Sequence, residues 1–164
     1  MTDDVEFGGY FPGALGQLAT LHAVHYAASH GLGRVFEARV SRDMGDLLLR
    51  FDPARDFYRT VRHDGRLLAS IAIDGHGYPE AHLRCFIVAP DARGRGFGRR
   101  LLAEAIDFCR THGFSGITLW TLAGLEPAGE LYRQAGFTLA EEYQGGHWGK
   151  ALVEQRVEMR LTGA

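Results

Sequence analysis

A single mixed α/β domain is predicted for this 164-residue chain by three observations. Strand-like runs alternate with stretches whose apolar residues recur at helical spacing. An Asp64-Gly65 pair sits between two alternating runs, the signature of a tight hairpin. Residues 83–102, LRCFIVAPDARGRGFGRRLL, pass from an apolar strand through a glycine-rich turn straight into an amphipathic helix. The length suits one domain covering residues 1–164, and no repeat, linker or low-complexity tract divides it.

The elements follow in order. Residues 5–10 read as a first strand, ended by Pro12-Gly13. Leu15, Leu18, Ala19, Leu21, His22, His25 and Tyr26 then recur with helical spacing until Gly31-Leu32-Gly33 interrupts them. Phe36, Val40, Met44 and Leu47 set a second helix over about residues 35–49. Residues 56–62 and 67–74 form two strands joined at 63–66. The run 83–88 is the next strand, stopped at Pro90-Asp91 because proline has no amide to continue a ladder. Leu101, Leu102, Ala105, Ile106 and Cys109 mark a third helix, and 117–121 a further strand. A short helix from Ala128 is closed by Gly136, as expected where the left-handed conformation must be cheap. Residues 137–143 and 153–161 supply the last two strands around the connection 145–149.

Between the strand at 83–88 and its following helix lies an anion cradle. A helix N-terminus carries unpaired N–H groups and about half a positive charge, so a pyrophosphate there is held by main chain. Arg93, Gly94, Arg95, Gly96, Phe97, Gly98 and Arg99 form the loop, and Arg93, Arg95, Arg99 and Arg100 add cationic reach. Spacing separates the competing glycine-loop chemistries. No Gly-Lys-Ser/Thr follows, which excludes a nucleotide P-loop, and Arg99 stands where a dinucleotide fingerprint needs its third glycine. What remains is Arg/Gln-x-x-Gly-x-Gly/Ala, satisfied by Arg93, Gly96 and Gly98.

That loop, followed in order by Ala128-x-x-Leu131-Tyr132-x-x-x-Gly136-Phe137, resembles the GNAT superfamily of N-acyltransferases. The resemblance implies the GNAT fold, a central mixed, mostly antiparallel twisted sheet of six to seven strands flanked by about four helices. Asp52-Pro53-Ala54-Arg55, Gly136-Phe137, Glu141-Glu142, Trp148-Gly149 and Leu152-Val153-Glu154-Gln155 look like the acetyltransferase half of bacterial proteins that fuse a MarR-type regulator to a GNAT domain. The opening Thr2-Asp3-Asp4, followed at once by a strand, leaves no room for a helix-turn-helix, so a free-standing enzyme is expected.

The resemblance also implies chemistry: direct transfer of an acetyl group from acetyl-CoA, the acyl-donor cosubstrate, to a primary amine of a small molecule such as an amino acid. A protein lysine or N-terminus, or a non-catalytic acyl-CoA sensor, are the alternatives. Main-chain groups of Phe86, Ile87 and Val88 are implied to hold the pantetheine and the oxyanion. Tyr132 is implied to protonate the leaving thiolate. A phenol near 10 facing a thiol near 8.5 is uphill by roughly 2 kcal/mol, small enough for site electrostatics to offset. His82, eleven residues before Arg93, occupies the position of the base in the histone-modifying branch, with a water relay as its competitor; packing is the competing role for Tyr132. Arg34 and Glu37 lie where the first two helices usually line the acceptor pocket, to bind a carboxylate and an amine. Where relatives commonly carry asparagine after Trp-Thr, this chain has Leu122, which removes one hydrogen bond to cofactor, and Glu126-Pro127 begins the next helix.

Composition sets the remaining bounds. A formal charge of −2 with 23% charged residues provides no global basic field for nucleic acid. No apolar run approaches the roughly 20 residues that span a bilayer, and no signal region opens the chain, so no membrane partner and a cytoplasmic location are expected. Cys85 and Cys109 have no CxxC spacing, in keeping with a reducing compartment. His22 and His25 lie three apart on one helix, but sequence places no third ligand and no metal is expected. Dimers are common in the superfamily, so the resemblance allows a homodimer, while no stretch of the sequence specifies an interface.

Overall fold

A computed structural model describes residues 4–124 and 128–161. Thr2-Asp3 and Glu126-Pro127 lie outside the described residues. The elements are β1 (Glu6–Gly8), α1 (Ala14–His30), α2 (Arg34–Leu49), β2 (Phe57–His63), β3 (Arg66–Asp74), β4 (Glu80–Val88), α3 (Phe97–Thr111), β5 (Gly116–Leu122), α4 (Ala128–Ala135), β6 (Thr138–Gly145) and β7 (Leu152–Arg160), with a 3-10 turn at Pro90–Ala92. One seven-stranded sheet runs in the order β1-β2-β3-β4-β5-β7-β6. Every neighbouring pair is antiparallel except β4 and β5. This is the mostly antiparallel α/β sheet of six to seven strands flanked by about four helices that the resemblance implies, with the helices on both faces.

Local chemistry explains the boundaries. Gly31 ends α1 at φ 67°, and its amide and that of Leu32 bond back to Ala27 and Tyr26, closing the last turn. Asp64 and Gly65 both have positive φ, the two-residue turn whose twist suits a hairpin. β4 begins at Glu80, three residues before its apolar run, because Glu80, Ala81 and His82 pair with Gly116, Ile117 and Thr118 of β5. Long-range pairing extends the strand where local composition gives no signal. β1 is shorter than expected and ends at Gly8.

Two layers of side chains cover the sheet. On one face α3 and α4 pack Leu101, Ala105, Ile106 and Cys109 over Ile71, Ile73, Leu83 and Ile117. On the other, α1 and α2 pack Leu18, Met44 and Leu47 over Leu67, Ala72 and Ile87. β3, buried on both faces after Arg66, is the centre of the molecule.

Two irregularities in β4 open the site. Beyond His82 it has no further partner in β5, while β5 goes on pairing with β7 as far as Leu122. The strands therefore splay, leaving main-chain groups of β4 without a ladder on that side. On the other side Ser70 pairs with Ile87 but Ala72 with Arg84, so Cys85 and Phe86 face the single residue Ile71. This β-bulge places Cys85 at φ 54°, a conformation few non-glycine residues adopt, and the Ser70 hydroxyl donates to the Cys85 carbonyl at 3.0 Å.

Candidate active site

The splay separates two cavities that share Tyr26, Phe86 and Ala128 as a common wall. One, of about 540 Å³, runs from Phe86, Ile87 and Val88 to Arg93, Gly94, Gly96, Gly98 and Arg99. The other, of about 520 Å³, lies between the diverging strands and the α1–α2 layer. Both fall in the range of small-molecule sites.

The first cavity ends in the predicted cradle. Gly96 caps α3 at φ 84°, and the amides of Gly96, Phe97, Gly98 and Arg99 donate to no backbone acceptor among the described residues. The three glycines do different work. Gly94 and Gly96 meet open space and are required by their positive φ, whereas a Cβ on Gly98 would stand 3.2–3.4 Å from Leu131, Phe86 and Val88. Phe97 contributes its amide alone, since its ring is buried edge-on against Phe7. Arg93 lines the cavity, and its charge reaches far enough to oppose protonation of His25, whose pKa is lowered by burial first and by Arg93 second. Arg95 lies over the Phe97 ring, and Arg99 reaches Gln134 at 3.4 Å. Arg100 departs from expectation: it sits over the Phe7 ring at 3.5 Å and pairs with Glu104, on the side away from the cavity. One helical turn carries its side chain past the loop.

In the second cavity Tyr132 is buried, with its ring 5.9 Å from Phe86 and 5.6 Å from Phe137. Burial pushes its phenol well above the ordinary value. It is a permanent proton carrier at neutral pH, and the gap to a thiol is wider than unperturbed values give. A phenol so raised would give up its proton only to a group on which negative charge is building. Burial also pushes the Cys85 thiol up to about 12, leaving no thiolate there to act as a nucleophile.

His82 sits at the mouth of the splay and lines the same cavity. Burial, then the charge of Arg84, lower its pKa to about 4 against the opposing pull of Asp74. Taking a proton from an ordinary alkylammonium would be uphill by roughly 9 kcal/mol. A neutral imidazole in this setting is suited to accept a hydrogen bond or pass a proton through water. Arg34 and Glu37 are exposed and line neither cavity. The inward stripe of α2 is Phe36, Val40 and Asp43, and the two expected residues lie off it.

Sequence reasoning missed the charges that do line the cavity. Arg84 donates to Asp74 at 3.1 Å and faces Asp43 at 3.9 Å, while Arg50 clamps Asp74 through both its nitrogens at 3.0 and 2.7 Å. Burial works against ionisation of Asp74, but Arg50, the His76 amide and Arg84 outweigh it and hold its carboxyl well below the usual range. Glu154 of β7, 3% exposed, is the other carboxylate. These residues come from three strands and a helix, and no spacing along the chain foretells their meeting. Leu122, in place of the expected asparagine, packs with Leu32, Phe36 and Val40 as an apolar wall.

His22 and His25 do not converge, since His22 lines the second cavity and His25 the first. The His22 Nδ1–H donates to the Leu18 carbonyl at 2.9 Å, and burial lowers its pKa to about 4. Below the unfolded value of 6.5 the unfolded chain binds a proton that the folded one refuses, so stability falls as pH drops from 6.5 towards 4. That gap corresponds to about 3 kcal/mol. In thermal and urea melts between pH 7 and 4, His22→Gln is expected to remove about that much of the acid-side loss; an unchanged acid slope would show that His22 titrates normally.

Comparison with known proteins agrees with this geometry. The sequence profile of the Acetyltransferase (GNAT) family matches residues 32–137. Mycothiol acetyltransferase of Arthrobacter sp. (strain FB24) is 36% identical over 93 residues, 54% of this chain; the match spans 28% of that protein's length. An acetyltransferase structure from Streptococcus agalactiae 2603 superposes with a TM-score of 0.78 at 19% identity, covering 98% of this chain and 100% of the other. PaiA N-acetyltransferase from Thermoplasma acidophilum, solved in complex with coenzyme A, superposes at 0.71 with 14% identity over 98% and 100%.

Proposed function

Because the chain belongs to the GNAT acetyltransferase family, we propose that it transfers an acetyl group from acetyl-CoA directly to the primary amine of a small-molecule acceptor, an amino acid or related metabolite. The observation that carries this reading is the meeting of two cavities at Phe86, one ending in a helix N-terminus with orphan amides and the other a half-open chamber of small-molecule volume. The donor fits the first. The unpaired amides of residues 96–99 and the side chain of Arg93 take the pyrophosphate, and the β4 backbone from Phe86 to Val88, freed from β5, takes the pantetheine. Acetyl-CoA supplies an activated thioester. The solved coenzyme A complex of the structurally similar PaiA protein supports that choice of donor.

The chain's own groups then divide the work. Main-chain N–H groups at the splay stabilise the oxyanion of the tetrahedral intermediate. Tyr132 gives its proton to the departing sulfur and regains one from solvent. His82 accepts a hydrogen bond from the incoming amine, while deprotonation runs through water. The likeness of residues 136–155 to the regulator-fused branch belongs to the same reading, since Trp148 and Glu154 from that stretch line the acceptor chamber.

The test is release of free CoA from acetyl-CoA against amino acids, diamines, aminoglycosides and lysine peptides, beside a thermal-shift titration with acetyl-CoA. Turnover on a small amine is expected. Turnover on peptides alone would replace the acceptor class, and a clear thermal shift with no turnover would leave an acyl-CoA sensor.

A further inference from the structure

We infer that Glu154 is a cation-binding residue of the acceptor chamber, which selects amines carrying a second positive charge beyond the nitrogen that is acetylated. This rests on the acetyl-transfer reading above but deepens it, by naming the acceptor's chemistry. Glu154 is 3% exposed, lines the chamber, and its Oε2 has no hydrogen-bond partner among the described residues. A buried carboxylate oxygen left without a donor is costly, and a ligand that brings one relieves the cost.

The surroundings supply the complement of a cation. Glu154 lies between Leu122 on β5 and Tyr143 on β6 in register. Tyr143 titrates high because of desolvation, then the Glu154 charge and a hydrogen bond to Glu154, so the unpartnered atom is Oε2 and not the whole carboxylate. Trp120, Tyr143 and Trp148 line the same chamber, with Trp120 and Tyr143 edge to face at 5.5 Å, and aromatic faces attract ammonium groups. Among the described residues, Arg84 is the one arginine or lysine lining the chamber, and it is engaged by Asp74 and Asp43. His22 and His82 are held neutral by burial, and His147 is exposed. Among the described residues that line the chamber, no cation is therefore left to compensate the Glu154 charge.

The attacking nitrogen is not what Glu154 holds. A carboxylate in contact stabilises the ammonium form, which has no lone pair to attack with. Glu154 is also on β7, two strands from the β4 backbone where the cavities meet, which is about 10 Å in a paired sheet and more here because β4 and β5 splay. A second cation, several bonds away from the reacting amine, meets both conditions.

The experiment titrates wild type and Glu154→Gln, each saturated with CoA, with α,ω-diamines of three to six methylenes and with the matched monoamines, by calorimetry, and follows acetylation of the same compounds. At least a tenfold preference for the best diamine over its monoamine is expected in wild type, falling to within twofold in the variant. No preference in wild type, or a preference kept in the variant, overturns the assignment, and the wild-type ratio decides even if the variant folds poorly. Diamines bound selectively but never acetylated would sink the transfer reading and leave this one standing; acetylation without selectivity would do the reverse.

Discussion

Gly96→Glu is expected to weaken CoA binding at least 100-fold while leaving the fold intact. Gly96 is at φ 84° with open space where a Cβ would be built, so the substitution causes no clash and costs only left-handed strain, about 1–2 kcal/mol. The larger effect is electrostatic. A carboxylate there can occupy the orphan amides of α3 itself, and about 5 Å from a pyrophosphate it repels each negative charge by roughly 3 kcal/mol at an effective dielectric of 20. Calorimetry with CoA, paired with Gly96→Ala, separates the two contributions: the alanine variant should lose tenfold or less. Unchanged affinity in the glutamate variant would mean that pyrophosphate does not bind at this helix.

Tyr132→Phe should lower kcat by at least 100-fold and leave the CoA dissociation constant within about threefold. The ring makes apolar contacts with Phe86 and Phe137 that phenylalanine keeps, so the thermal midpoint should barely move. What disappears is the proton for the leaving sulfur. Donors with more acidic thiols need that proton less, and the variant's deficit should shrink with them. Turnover within twofold of wild type at every pH would reduce Tyr132 to a packing residue.

Much of the frame was legible because local chemistry determines it. The Asp64-Gly65 turn, the glycine after α1, the Arg93–Gly98 loop and the short helix ending before Gly136 each follow from backbone preferences of a few adjacent residues. The acceptor chamber was not. Arg84, Asp43 and Glu154 meet only because β4, β5 and β7 are brought side by side with α2 folded over them. Arg34 and Glu37 were expected there from the usual place of the second helix. The stripe of Phe36 and Val40 already implied which way that helix faces, and it turns the two charges to solvent. The bulge at Cys85 gave no signal either. Both faces of this strand are covered, so an apolar run reads the same with or without an extra residue.

That extra residue has a consequence for how this chain can change length. Before the bulge, Ala81 and Leu83 point to the α3 layer; after it, Phe86 and Val88 do, and Ile87 points to the α1–α2 layer. Deleting any single residue between 84 and 86 would restore simple alternation with Val88 still towards α3 and Ile87 still towards the α1–α2 layer, so the packing of the strand would survive. What would go is the bulge itself, and with it the local bend of the β4 backbone beside the meeting of the two cavities. Deletions should therefore be purged from this stretch of three residues for the sake of that bend, although no side chain there is an irreplaceable functional group. What is under selection there is a count.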